Sequence, residues 1–112
     1  MSEKAHMATK VRRERDQRRI VVVISGALDA GALPSFRRAL VNALRTRAPV
    51  LIDLTEATSL HRDAPATLVI AHRQAERAGT QLLLRAEPTQ MRAVLAAFGV
   101  PPEDPHDRRR DL

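Results

Sequence analysis

The residues with chemistry to offer gather in one stretch. Ser59-Leu60-His61-Arg62-Asp63 sets a hydroxyl, an imidazole and a carboxylate close together, and His61-Arg62-Asp63 is the triplet that opens the catalytic loop of protein kinases, where the Asp is the base. A kinase loop also holds a metal ion through an Asn five residues after that Asp, and Leu68 stands there. No Gly-rich phosphate loop of the kinase type lies upstream, and the only lysines, Lys4 and Lys10, sit near the N-terminus. These departures argue against kinase chemistry. A Ser-His-Asp relay can be drawn from Ser25, Ser35 or Ser59 with His61 and Asp63, but no Ser occupies a G-x-S-x-G elbow.

Metal and phosphate chemistry find as little support. His61 and His72 are eleven residues apart. On a helix that spacing separates them by roughly 16 Å, too far to share an ion, and there is no Cys to help. Gly26-Ala27-Leu28-Asp29-Ala30-Gly31 has neither the Lys-Ser/Thr pair of a P-loop nor the G-x-G-x-x-G spacing of a dinucleotide site. Asp29 and Asp53 could suggest a phosphoryl-accepting receiver. That chemistry needs clustered acids and a later strand-end lysine, and Leu83-Leu84-Arg85-Ala86 offers none. Neither a cofactor nor a metal site is therefore expected.

The chain has 112 residues, enough for one hydrophobic core. No apolar run reaches the roughly 18 residues of a membrane span, and MSEKAHMATK lacks the apolar segment of a signal peptide, so the expected location is the cytoplasm. The net charge of +6 invites a nucleic-acid reading. Residues 1–19 hold seven Lys or Arg against three acids, residues 20–100 nine against six, and residues 101–112 three against four. The excess density thus lies in an N-terminal arm. Phe36 and Phe98 are the only aromatic residues and both have helical core spacing, so stacking platforms are missing and the composition argues against nucleic acid as partner.

The elements that must position these residues follow from periodicity. Arg19 to Ser25 is a β-branched run suited to a strand covered on both faces, preceded by a shorter strand over Thr9 to Glu14 with Asp16-Gln17 as the turn. Gly26 is expected to end that strand. Leu33, Phe36, Leu40 and Leu44 mark one face of a helix, with Pro34 in its first turn. Pro49 to Leu54 and Gln81 to Arg85 read as strands, and Leu68, Ala71, Ala75 and Ala78 as a helical stripe between them. Asp63 is its expected N-cap and Gly79 its stop. A last helix opens at Pro88, is expected to bury Met91, Val94, Leu95 and Phe98, and stops at Gly99. Strand-helix alternation of this kind predicts an α/β fold with a largely parallel sheet. Its strand-end loops, where ligands and partners usually meet such sheets, would be Gly26–Gly31, Thr55–Asp63 and Ala86–Thr89.

Three segments in this order resemble the STAS domain of bacterial anti-sigma factor antagonists: Val21-Val22-Val23-Ile24-Ser25-Gly26-Ala27-Leu28-Asp29, Leu51-Ile52-Asp53-Leu54-Thr55, and Ala78-Gly79-Thr80-Gln81-Leu82-Leu83-Leu84. The resemblance covers about residues 8–100, flanked by an arm at 1–7 and a Pro-rich charged tail at 101–112. It implies a mixed, largely parallel sheet with helices packed mainly on one face. Family members commonly continue into a last strand and helix, whose replacement by this tail would expose apolar surface. The resemblance also implies a site, because in the antagonists the helix after the Asp-Leu-Ser/Thr strand begins with Asp-Ser-Ser/Thr-Gly, whose first Ser is phosphorylated by the partner anti-sigma kinase.

In that register His61 stands at the Asp, Arg62 at the acceptor Ser, Asp63 at the Ser/Thr and Ala64 at the Gly. Shifting by one residue puts Ala64 at the acceptor, and Thr58, Ser59 and Thr67 do not match the motif. Phosphate there would add nearly two negative charges; Arg62 carries the opposite sign. The resemblance thus implies a non-enzymatic interaction module of bacterial transcriptional or stress signalling, docking an anti-sigma factor or related kinase-like protein through Asp29, Thr58, Ser59, His61, Arg62, Asp63 and Ala64, without the phosphoswitch. The alternative is a STAS-like scaffold or accessory subunit of a stressosome or lipid-transport assembly. A homodimer is compatible with either.

Overall fold

The β-branched run of the sequence becomes the middle of a sheet. In a computed structural model, which describes residues 10–16 and 18–99, the order is β1 (Lys10–Asp16), β2 (Arg19–Leu28), α1 (Leu33–Leu44), β3 (Val50–Leu60), α2 (Ala64–Arg77), β4 (Leu82–Arg85) and α3 (Pro88–Ala97). The sheet they form has four strands in the order β1-β2-β3-β4; β1 runs antiparallel to β2, and β2, β3 and β4 are mutually parallel. This is the expected mixed, largely parallel α/β arrangement. The expected arm at 1–7, the start of a strand at Thr9 and the tail at 101–112 lie outside the described residues.

Alternation along β2 explains its composition. Ile20, Val22 and Ile24 enter the main core with Val50, Ile52 and Leu54 of β3, and the helices close over them through Phe36, Leu40, Leu68, Ala71, Ala75 and Val94. Val21, Val23 and Leu51 form a smaller cluster of their own on the opposite face. A strand buried on both sides has no place for a polar residue until Ser25, which is why the run reads as unbroken Val and Ile. Each such side chain taken from water contributes on the order of 2 kcal/mol.

Several boundaries differ from the sequence reading. β1 extends to Asp16, which pairs with Arg19, so Asp16 belongs to the strand and not to the turn expected at Asp16-Gln17. Gly26 does not end β2: its φ of 83° accommodates an irregularity while pairing continues to Leu28. The largest difference is in β3, which runs on through Thr55–Leu60 where a loop was expected. Between Val23↔Asp53 and Ser25↔Glu56, and again between Gly26↔Ala57 and Ala27↔Ser59, β3 uses one residue more than β2. These are two β-bulges, which bend a strand and redirect its end.

α1 starts without a side-chain cap of its own at Ala32. Asp29 supplies the equivalent, with Oδ1 accepting from the Ala32 N–H at 3.0 Å and its carbonyl accepting from Ala32 and Leu33. α3 opens with a capping box, in which Glu87 and Gln90 each satisfy the other's backbone N–H. Of its expected core residues only Val94 is buried; Met91 is half-buried, and Leu95 and Phe98 are 39% and 36% exposed. α3 packs on α2, where Phe98 meets the His72 ring edge-on at 5.3 Å, and reaches β3 through Gln90, but this cover leaves Leu95 and Phe98 partly open to solvent.

Candidate functional site

The carboxyl ends of β2 and β3 meet, and this brings the expected site residues together. Leu28 pairs with Leu60, and the His61 N–H donates to the Leu28 carbonyl at 2.7 Å, so the turn at 61–63 lies beside the chain entering Asp29. The Ala64 N–H donates to the His61 carbonyl at 2.9 Å, closing the turn as α2 begins. Thr58 and Ser59 are exposed on the last, bulged part of β3, and Arg62 and Asp63 are exposed on the turn. Ala64 differs from the rest. At 1% exposure it belongs to the core, so it sets the packing of the helix start and presents no side chain.

Asp63 occupies the N-cap position of α2 but its side chain does not cap, contrary to expectation. Its backbone is already helical, with φ −87° and ψ −8°, whereas a capping side chain reaches back from an extended residue. His61 braces the same turn by a different bond. Its Nδ1 accepts the Asp63 N–H at 3.0 Å. The Asp63 carboxylate stays 3.8 Å from the same nitrogen and remains free to face outward. Thr67 anchors the turn from within the helix, its Oγ1 donating to the Asp63 carbonyl at 3.0 Å. α2 has no acidic residue in its first turn, so Arg62 adds positive charge to the positive end of the helix dipole.

A polar network lies beneath this end, of which only the bonding of Asp53 to nearby backbone is expected from the sequence. Asp53, 8% exposed and in the middle of β3, accepts from the Thr55 N–H at 2.9 Å, from Thr55 Oγ1 at 2.6 Å and from Arg85 at 3.3 Å. Burial pushes its carboxyl up, but the Thr55 bonds and the Arg85 guanidinium outweigh burial and hold it below its ordinary value. Ser25 Oγ donates to Glu56 at 2.6 Å, and Arg12 bridges Glu56 and Glu14. The Ser25 bond and Arg12 likewise hold the Glu56 carboxyl down. A carboxylate so stabilised is a weak base, and the Ser25–Glu56 pair is a brace across the first bulge. Gln90 completes the bracing: its amide donates to the Leu54 carbonyl at 2.8 Å and the Ala57 carbonyl at 3.2 Å, the backbone groups around that bulge. Its signal was present in Glu87-Pro88-Thr89-Gln90, the spacing of a capping box.

The arrangement offers hydrogen-bonding groups and charge on an exposed turn. No group of three His, Asp or Glu residues that could hold a metal ion occurs among the described residues, and none of their helices is long and apolar enough to cross a membrane.

Comparison with known proteins agrees with this architecture. No curated protein matches the chain. Among solved structures, an anti-sigma factor antagonist from Mycobacterium paratuberculosis superposes with a TM-score of 0.68 at 19% identity, over 85% of this chain and 86% of that one. SpoIIAA, a Bacillus cell fate determinant and anti-sigma factor antagonist, matches in its unphosphorylated form with a TM-score of 0.66 at 17% identity, over 91% and 94% of the two chains. Its phosphorylated form gives 0.64 at 15% identity, over 91% and 97%. A structure of Mglu matches at 0.58 and 15% identity over 70% of this chain, which spans only 19% of that one. These likenesses are of fold. The family model described as Mlab, STAS domain, matches residues 11–101, and the chain therefore belongs to the STAS domain family.

Proposed function

We propose that this STAS domain is a non-enzymatic docking module of bacterial transcriptional or stress signalling, acting in the cytoplasm, that binds an anti-sigma factor or related kinase-like protein and is not switched off by phosphorylation. Asp29, Thr58, Ser59, His61, Arg62 and Asp63 form the contact surface, with Ala64 packing the helix start beneath them. The observation that carries the reading is the turn itself. It is joined to the end of β2 through His61 and Leu28, and it exposes Arg62 where the resemblance implies a phosphorylatable Ser. A guanidinium accepts no phosphoryl group here and has the sign opposite to a phosphate.

The test is to mix the chain with a cognate anti-sigma kinase and ATP. A stable complex without phosphate on residues 61–64 is expected, and a phosphate mapped to that segment refutes the reading. A second reading, a scaffold or accessory subunit of a stressosome or lipid-transport assembly, draws support from the family description, which is Mlab, STAS domain, and does not name antagonists. Co-purification separates the two: a kinase-like partner supports the first, a sensor or transporter assembly the second.

A further inference from the structure

α1 and α2 lie side by side over the sheet, and a groove runs between them. Its first part, about 370 Å³, begins at Asp63 and has Leu40 and Ala71 on its floor. A second part of about 380 Å³ shares Val41 and Gln74 with the first and continues to Ala78. Val41 is 41% and Ile70 57% exposed, so the apolar lining is open to solvent along the path. Soluble proteins tolerate single exposed apolar residues; a lined channel of them marks a contact surface.

The charge along the rim says what would cover it. Arg37 stands at one end, Arg45 and Arg47 at the other, all exposed. None of the three forms an ion pair among the described residues. Asp63 is the one acidic residue among those lining the two parts. Arg47 is moreover held at φ 62°, a conformation that a side chain enters at a cost. From this geometry we infer that the α1–α2 groove receives an acid-bearing amphipathic helix of a partner protein. Its aliphatic side chains, spaced i, i+3, i+4 and i+7, fill the apolar floor, and its flanking carboxylates meet Arg37 at one end and Arg45 and Arg47 at the other. Concavity favours a helix over a bilayer, which would meet a flat or convex face. α2 has 14 residues, so a partner segment of about 14 residues, or about 21 Å, spans the groove.

This surface shares Asp63 with the docking turn, but Asp29, Thr58, Ser59, His61 and Arg62 do not line the groove. The experiment titrates the full chain with a synthetic helical peptide of about 14 residues carrying Leu at groove spacing and Glu on both flanks. Binding is read by anisotropy and by amide chemical shifts. A Lys-for-Glu counterpart and vesicles of equal parts phosphatidylcholine and phosphatidylglycerol are measured alongside. The acidic peptide is expected to bind with shifts confined to α1 and α2, and its Lys counterpart about tenfold more weakly or less. Ile70→Glu and Arg37→Glu should each weaken it about tenfold with unchanged thermal unfolding, since both side chains are exposed, and Arg62→Ser should leave it unchanged.

No binding up to about 1 mM overturns the inference. So does equal affinity for the two peptides, indifference to Ile70→Glu, or loss of binding in Arg62→Ser. Vesicle binding without peptide binding would assign the face to a membrane surface and overturn it as well.

Discussion

Replacing Asp53 by Asn tests the network under the carboxyl end of the sheet, because Asn keeps an acceptor for Thr55 and removes only the charge. Two bonds reach the carboxylate from Thr55, at 2.9 and 2.6 Å. A bond to a charged group contributes about 1.5–3 kcal/mol and a neutral one about 0.5–1.5, so the two together lose about 2 kcal/mol. Arg85, whose side chain is 54% exposed, adds well under 1 kcal/mol after solvent screening. Against this, the variant is relieved of holding a charge in a site that is only 8% exposed, the largest single influence on the carboxyl. The net expectation is a loss of about 1 kcal/mol at neutral pH, or about 4–8 °C in Tm for a domain of this size.

The pH dependence fixes the cause. The folded carboxyl titrates below its ordinary value, so the native state binds fewer protons than the unfolded one between the two pKa values. Its stabilisation is therefore fully present above the unfolded value of about 3.9 and is lost as pH falls through the folded one. Urea unfolding of both proteins from neutral pH downward should show the gap constant to about pH 5 and closing below it. A gap that persists undiminished in acid, or is absent at neutral pH, would show that the charge of Asp53 does not act as described.

Three further substitutions probe other parts of the structure. Phe36→Ala, at a side chain with 0% exposure, should cost about 3–5 kcal/mol and lower the urea midpoint accordingly. His61→Ala removes the acceptor of the Asp63 N–H and should cost about 1 kcal/mol, with faster amide exchange in the first turn of α2; His61→Asn should recover part of it. Gln90→Ala should cost about 1–2 kcal/mol, and exchange should rise together at residues 55–57 and at the start of α3. Exchange confined to one of those two places would deny that Gln90 couples them.

The elements with one strong period were legible from the chain. β2 announces itself by unbroken β-branched residues, α1 by its leucines and Phe36, and α2 by small side chains at helical spacing. The second half of β3 was not legible, because Thr55-Glu56-Ala57-Thr58-Ser59 is polar and its two bulges interrupt the alternation that identifies a strand. The α3 core was overestimated for the opposite reason: Leu95 and Phe98 keep helical spacing, but periodicity says which residues share a face and not whether anything covers it. At the site, Asp63 had the right residue type for a cap. His61, two positions earlier, accepts Asp63's own N–H, and that bond is visible only in three dimensions. In the Asp53–Thr55–Arg85 and Ser25–Glu56–Arg12 groupings only the bonds of Asp53 to the nearby Thr55 are local; the rest join residues up to 44 positions apart, which no local pattern could announce.

The two bulges of β3 act as a parity device. Val50, Ile52 and Leu54 face the core from even positions; after the first bulge it is Ala57, an odd one, that packs there, and after the second Leu60 restores the even count. Neither bulge alone would deliver the turn in this orientation. Deleting one residue between Thr55 and Ser59 would leave the composition of the segment almost untouched and yet send Leu60 to the wrong side of the sheet, taking His61 away from the Leu28 carbonyl. Point substitutions in this stretch alter the chemistry of the turn, whereas a change of length by one alters which side of the molecule the turn is on.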